Sequence, residues 1–308
     1  MSREVVVVGS ANADLVVQVP RRPAGGETLL GGDLQLLPGG KGANQAAAAG
    51  RCGADVAFIG CVGGDANGAY LREQLTAAGV DTSLLGETER PSGTAIIFLT
   101  PDGENSIVVS PGANSDFDIA QAERSSETWK SARVVVLSLE IPHITAFHVA
   151  AQAAEAGARV ILNAAPSTRL AAETLAVCDP LIVNEHEALE VLGVGEDDPD
   201  ARDYPRLAER LREAGARSVV ITLGADGAVI AEAEGLSSVP AYRVQAVDTT
   251  GAGDAFVGAV AGELAAGAAL TDAVRFATAV SAVAVQRVGA QASYADRAEV
   301  EAFIASTS

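Results

Sequence analysis

The run Asp248-Thr249-Thr250-Gly251-Ala252-Gly253-Asp254-Ala255-Phe256 follows an apolar stretch that reads as a strand, and it opens a long Ala- and Gly-rich helical stretch. Small residues at a helix N-terminus leave several backbone N–H groups free to converge on an anion, and the helix dipole assists. Asp254, beside such an anion hole, could accept a proton from an attacking alcohol. The plainer reading is that Thr249 or Thr250 caps the helix and Asp254 suits its positive end. A dinucleotide-binding reading is weak, because Phe256 replaces the third glycine and the segment lies far from a first βαβ unit.

A second run, Pro38-Gly39-Gly40-Lys41-Gly42-Ala43-Asn44-Gln45, gathers glycines around a lysine ahead of an Ala-rich helix. It is not a P-loop: Gln35 stands where the first glycine is required, and Gly42 where Ser or Thr would bind magnesium. Backbone can still come close to a ligand here, with Lys41 supplying charge and Asn44 a donor and an acceptor. A glycine-rich turn with an exposed lysine is the alternative. Three smaller constellations follow. Asn184 and Glu187 share one side of a helix start and could hold hydrated magnesium and triphosphate oxygens, or simply begin the helix. The run Thr222-Leu223-Gly224-Ala225-Asp226-Gly227 could line a nucleotide phosphate or ribose, or be only a tight turn. Asn12 and Asp14, at alternate positions after the first strand, could bind vicinal hydroxyls, with Glu140 joining them. His143, His148 and His186 fit no HExxH or triad pattern, and no GxSxG is present.

These residues need a scaffold. Short apolar runs at Val5–Val8, Val56–Ile59, Val134–Leu137, Val160–Leu162, Leu181–Val183 and Val219–Thr222 predict buried strands. Helices are predicted over Ala43–Arg51, Gly68–Ala78, Ile144–Ala156, Glu185–Leu192, Pro205–Ala214, Ala252–Ala266 and Thr271–Gln286. The alternation points to a parallel sheet covered on both faces. Residues 12–38 hold a strand pattern without a helix. Residues 93–110 read as a hairpin turning at Asp102-Gly103. Such early extra strands suggest a small β lid, or else an antiparallel edge of the main sheet.

The chain has 308 residues, 48% hydrophobic, with 21 Lys+Arg against 40 Asp+Glu and a net charge of −19. A surface so acidic makes nucleic acid a poor partner. Lysine occurs only at Lys41 and Lys130. Cys52, Cys61 and Cys178 form no CxxC and read as buried thiols, not a disulfide framework or zinc site. No long apolar segment suggests a signal peptide or membrane span, so a cytoplasmic protein is expected.

The two long runs, with Asn12-Ala13-Asp14, Gly63-Gly64-Asp65 with Gly68, Asn184-x-x-Glu187 and Thr222-Leu223-Gly224 in that order, resemble the ribokinase-like carbohydrate kinases, the phosphofructokinase-B family. The resemblance covers roughly residues 3–304. It implies one α/β domain over 1–308, a three-layer αβα sandwich with a mostly parallel sheet, and a lid from about 12–38 and 93–110. It implies ATP-dependent phosphorylation of D-ribose at the 5-hydroxyl; 2-deoxyribose, another small sugar or a nucleoside are the alternatives within the family, and a non-catalytic sugar or nucleotide sensor the alternative outside it. Asp254 would be the base, with the anion hole formed by the backbone of Ala252, Gly253 and Asp254, and Gly251 would complete the catalytic run. Asn12, Asp14, Gly40, Lys41, Gly42, Asn44 and Glu140 would hold the sugar. Asn184, Thr222, Leu223, Gly224, Ala225, Gly227, Gly253 and Thr278 would hold ATP, and Glu187 would reach Mg2+ through water. A monovalent cation, K+, would map to Asp248, Thr250, Ala284, Arg287, Gly289 and Ser293. The lid would pair between two subunits of a homodimer.

Overall fold

Four consecutive valines, Val5–Val8 (β1), form an interior strand of the computed structural model, which describes residues 3–101 and 105–307. All four are buried, and they alternate: Val5 and Val7 enter one hydrophobic layer, Val6 and Val8 the other. A strand buried on both faces needs cover on both sides, which parallel strands joined by helical crossovers supply.

The remaining strands are Asn12–Gln18 (β2), Gln35–Gly39 (β3), Val56–Gly63 (β4), Val80–Asp81 (β5), Leu85–Thr88 (β6), Gly93–Leu99 (β7), Asn105–Ser110 (β8), Val134–Ser138 (β9), Arg159–Asn163 (β10), Cys178–Asn184 (β11), Val219–Thr222 (β12), Ala228–Glu232 (β13) and Gly235–Val239 (β14). The helices are Lys41–Arg51 (α1), Ala66–Ala77 (α2), Ile119–Glu123 (α3), Ser126–Lys130 (α4), His143–Glu155 (α5), Ala172–Leu175 (α6), Glu185–Leu192 (α7), Tyr204–Glu213 (α8), Ala252–Ala265 (α9), Leu270–Ala284 (α10) and Arg297–Thr307 (α11).

The large sheet has the order β14-β13-β12-β11-β10-β9-β1-β4-β5, with β6 also paired to β4. It is parallel from β12 to β5, and only β13 and β14 turn back. Leu71, Leu75, Val257, Val274 and Val300 pack α2, α9, α10 and α11 with α1 on one face. Trp129, Val149, Leu175, Leu189 and Leu207 hold α4 to α8 on the other. The fold is therefore a three-layer αβα sandwich with a mostly parallel sheet. A second sheet, β3-β2-β7-β8, leaves the chain directly after β1 and has a parallel β2–β7 pair at its centre. The Asp102-Gly103 turn expected between β7 and β8 lies outside the described residues.

The parallel registers bring Val8, Ser138, Asn163, Asn184 and Thr222 to one edge of the large sheet. In an open α/β sheet, the loops beyond that edge are where ligands bind. Among the described residues, no helix is long and apolar enough to cross a membrane. The three cysteines are free and buried.

Two local details differ from expectation. Helix α1 starts at Lys41, not Ala43. Its N-cap, Gly40, has φ 87, and a Cβ there would lie 2.8 Å from Ala11 Cα and Asn12 N. Ahead of Asp248 there is no strand. The ladder ends at Val239, Pro240 removes the next donor, and the amides of Val247 and Asp248 turn to the Val285 carbonyl at 2.7 and 3.1 Å.

Candidate active site

Asp254 lies in the first turn of α9, 8% exposed, in a cleft also lined by Lys41, Asn184, Glu187, Thr222, Gly251 and Gly253. The chain enters that helix through Gly251 at φ 73, the left-handed turn that glycine adopts without steric cost. Tyr294 Oη donates to the Gly251 carbonyl at 2.9 Å and Ser281 Oγ to the Ala252 carbonyl at 2.9 Å, which pins the helix start. The Ala252 amide is turned back to Thr249 O at 3.2 Å. Among the described residues no acceptor takes the amides of Gly253 and Asp254. A Cβ built on Gly253 meets nothing within 4 Å, so the space beside Gly253 is open, and both Gly253 and Asp254 line the cleft. The first turn therefore offers two free amides to an anion where three were expected.

Helix α1 supplies the opposite wall. Asn44 Nδ2 donates to Asp254 Oδ2 and Gln45 Nε2 to Asp254 Oδ1, each at 3.0 Å. Glu140, just beyond β9, accepts from Ser10 Oγ at 2.6 Å and from the Lys41 amide at 3.0 Å. The first strand–loop, the first helix and the loop after β9 are thereby tied together. Asn12 is buried, its Oδ1 accepting from Asn114 Nδ2 at 2.8 Å. Gly42 is a packing residue: a Cβ there would lie 2.7 Å from Gly9 Cα and Ser10 N.

The carboxyl groups feel one another. Burial pushes Asp254 up, and Glu140 adds to this, while Lys41, Asn44 and Gln45 work against it. Burial, Glu140 and Asp254 push Asp14 up to about 7. Burial would lower Lys41, but Asp254, Glu140 and Glu187 outweigh it, so the ammonium is held. Burial also pushes Glu187 up against the pull of the Asn184 amide and Lys41.

Asn184 and Glu187 form a reciprocal capping box, Asn184 Oδ1 accepting from the Glu187 amide and Glu187 Oε2 from the Asn184 amide, both at 2.8 Å. The helix-start reading of this pair is the one these bonds show; the box leaves one Glu187 oxygen uncommitted, and both residues line the cleft. Beyond Thr222, the turn Leu223–Gly227 lies outside the cleft lining; Gly224 and Ala225 are exposed on its surface side and Gly227 is buried against the Val239 carbonyl. Thr278 is buried on α10 and its hydroxyl donates to Arg275 O at 2.8 Å, so the side chain is spent within the helix.

Among the described residues, no group of three or more His, Cys, Asp or Glu could hold a metal. A protein-only Mg2+ cage is thus absent from them; a single Glu187 oxygen suits contact with a hydrated ion carried in by a nucleotide. Asp248 is different. Its Oδ1 accepts from the Thr250 amide at 2.9 Å and hydroxyl at 2.6 Å, and its Oδ2 from the Gly289 amide at 2.8 Å. Burial opposes ionisation, yet these bonds hold the carboxyl below its ordinary value. Asp248, Thr250, Gly289 and, through Val285, the end of α10 at Ala284 are gathered. The Ser293 hydroxyl donates to Ala290 O at 2.8 Å, and the Arg287 guanidinium pairs with Glu299, so the Arg287 side chain is turned to another partner.

Several site residues carried no assignment in the sequence: Ser10, Gln45, Asn114, Asn163, Gln291 and Tyr294. Gln45 lies inside the Gly-rich run and was legible as a polar residue beside Asn44. Asn163 ends an apolar strand at the ligand-binding edge, a detectable signal. Gln291 offers no local sign.

A model of the pfkB family of carbohydrate kinases matches residues 2–297. The chain is 37% identical to a ribokinase of Haemophilus influenzae over 306 residues, 99% of either chain. It is 38% identical to a ribokinase of Schizosaccharomyces pombe over 307 residues, 96% of either chain. A solved structure of Arabidopsis thaliana ribokinase complexed with ribose and ATP superposes with TM-score 0.91 and 33% identity, covering 99% of each chain.

Proposed function

This chain belongs to the pfkB family of carbohydrate kinases, and from that premise we propose that it transfers the γ-phosphoryl group of ATP to the 5-hydroxyl of D-ribose. The observation that carries the reading is the start of α9: a buried carboxylate beside two unpartnered amides, facing open space. Asp254 takes the proton of the attacking hydroxyl, and the amides of Gly253 and Asp254 hold charge on the transferring group. Lys41 adds a fixed cation at the same place. Ribose lies among Asn12, Asp14, Gly40, Lys41, Asn44 and Glu140, a polar set with carboxyl acceptors for hydroxyl groups. ATP lies along Asn184, Thr222, the turn to Gly227 and α10 near Thr278. The kinship of this chain with ribokinases supports ribose as the acceptor.

Mg2+ bound with the nucleotide supplies charge neutralisation of the phosphates. Glu187 would hold that ion through water, and Lys41 would help orient the triphosphate toward Asp254. Asp248, held ionised, and the backbone of Thr250, Ala284, Arg287, Gly289 and Ser293 would hold K+, which would supply a fixed positive charge near the start of α9. The chain acts as one domain whose second sheet closes over the sugar. Ile96 and Val108 on one face of that sheet, and Ile107 and Val109 on the other, are 41, 60, 52 and 49% exposed, which supports pairing of two lids in a homodimer. Three buried free thiols support a reducing, cytoplasmic setting.

The test is a phosphorylation panel of ribose, 2-deoxyribose, fructose and adenosine, with and without K+, for the wild type and Asp254→Asn. Ribose is expected to be the preferred acceptor. Asp254→Asn should lose about 100- to 10,000-fold in kcat with ribose binding nearly kept. Near-normal turnover of that variant would sink the assignment of the base; preference for another acceptor would replace ribose.

A further inference from the structure

Gln45 on α1 and Asn163 at the end of β10, the latter in the cleft wall, are linked to Asp254 through hydrogen bonds, and nothing above gives them a role. Gln45 is fully buried on α1. Its Nε2 donates both to Asp254 Oδ1 and to Asn163 Oδ1, each at 3.0 Å. Asn163 is fixed in turn, its Nδ2 donating to Ile182 O at 3.1 Å on the neighbouring strand. With both protons of the Gln45 amide used this way, Oε1 is left buried and without a partner among the described residues. Leaving a buried amide oxygen unsatisfied is costly. The amide nevertheless stays in the orientation that presents its NH2 to the carboxylate. The acceptor on Asn163 is what fixes that orientation, because a flipped Gln45 would set Oε1 against both Asn163 Oδ1 and Asp254 Oδ1.

We infer that Gln45, oriented by Asn163, is a positioning residue that keeps Asp254 ionised and its free lone pairs aimed into the cleft. This rests on the reading of Asp254 as the base. Asp254 is faced by Lys41 and Asn44 from α1, Glu140 from the loop after β9, Asp14 from β2, Glu187 from α7 and Tyr294 from the loop after α10. Three of those groups are acidic and one is a phenol that burial keeps neutral. Lys41 is the one cation in the set. Lys41 is also where an incoming phosphate would draw charge away. Two carboxamide donors, one on each oxygen, then remain as the fixed counterweight, and a donor to the charged form of an acid favours ionisation. On the Asn44 side the same device recurs: Gln291 Nε2 donates to Asn44 Oδ1 at 3.0 Å and so turns the Asn44 amine toward Asp254.

The experiment compares wild type, Gln45→Met, Asn163→Ala, the double variant and Asp254→Asn. Turnover with ribose is followed from pH 5 to 9, and ribose binding by calorimetry without nucleotide. Gln45→Met keeps the side-chain length and removes the donor. Its kcat should fall about 10- to 100-fold, the worth of one hydrogen bond to a charged group, with ribose affinity within about threefold. The acid limb of kcat should move to higher pH by about one unit or more. Asn163→Ala should shift the limb in the same direction by less, and the double variant should resemble Gln45→Met alone. Should Gln45→Met fail to fold, Asn163→Ala, which leaves Gln45 in place, decides the matter by the same limb. An unmoved acid limb with Asp254→Asn inactive would overturn the inference and leave the base assignment standing. A fully active Asp254→Asn would instead remove the reading beneath both.

Discussion

The proposed base and three of the residues around it sit on two helices that touch, and one glycine sets how closely. Lys41, Asn44 and Gln45 belong to α1 and Asp254 to α9. One turn beyond Asp254, Gly258 lies against α1. A Cβ there would lie 2.8 Å from Ala48 Cβ, 2.9 Å from Ala49 N, and closer still to the Gln45 carbonyl oxygen. Backbone atoms cannot rotate aside as a side-chain end can, so Gly258→Ala must move the helices apart by about 1 Å to restore ordinary contact. Two effects compete. Alanine is the better helix former by about 1 kcal/mol, while overpacking a close core contact costs about 1–3 kcal/mol, with backbone clashes at the upper end. The packing cost should win by about 2 kcal/mol, which for a chain of this size lowers Tm by about 3 °C. The same separation lengthens the two 3.0 Å bonds to Asp254, and a misplacement of about 1 Å can cost about 100-fold in turnover. Gly262, one turn further along α9, is the control: its Cβ would meet only Ala54 Cβ at 3.5 Å, an ordinary contact. Gly262→Ala should raise Tm by about 1–2 °C through propensity alone and leave kcat unchanged. Calorimetry and steady-state rates on both variants check this. A Gly258→Ala protein with raised Tm and full activity would show that the helix contact is not the constraint argued here.

Two further outcomes follow from the same geometry. Glu187→Gln keeps an oxygen for the Asn184 amide and so keeps the capping box, which places its Tm within about 1 °C of wild type; the half-saturating Mg2+ concentration should rise several-fold, and an unchanged Mg2+ titration would confine Glu187 to its capping role. Val108→Glu puts a charge on the exposed lid face and should halve the particle mass in sedimentation, whereas a wild-type protein that already runs as a monomer would remove the lid-pairing proposal.

The parts of the fold legible in the sequence are those where one local pattern suffices. β1, β12 and α7 fall where expected because an apolar run or a cap defines both their ends. The two glycine-rich runs were legible as helix starts, and a helix start is an anion site by its own backbone. The antiparallel turn of β13 and β14 was not, since a tight Gly224–Gly227 turn says nothing about which edge the chain returns to. α11 was missed because it buries only Val300 fully and shows little apolar periodicity. The pairings around Asp254 were not legible, even where single members were. Gln45 meets Asn163 and Gln291 meets Asn44 across 118 and 247 residues, and such pairs exist only after the sheet and both helices have packed.

A net charge of −19 raises the question of how this protein would hold a nucleotide triphosphate, and the cleft sharpens it. Glu140, Glu187 and Asp254 interact there with a single ammonium, Lys41, and Asp14 adds a further carboxyl that feels Glu140 and Asp254. Side-chain charge would therefore repel phosphate, so binding must draw on groups that the residue count does not register. The free amides of Gly253 and Asp254, the dipole of α9, and a metal ion arriving with the nucleotide are such groups. Burial works in the same direction, because it pushes Asp14 and Glu187 toward their neutral forms. The one carboxylate that must stay charged to accept a proton is Asp254, and it is the one held by two carboxamide donors. Local hydrogen bonding at that group thus opposes, with Lys41, both the surface field and the burial that pushes Asp254 up.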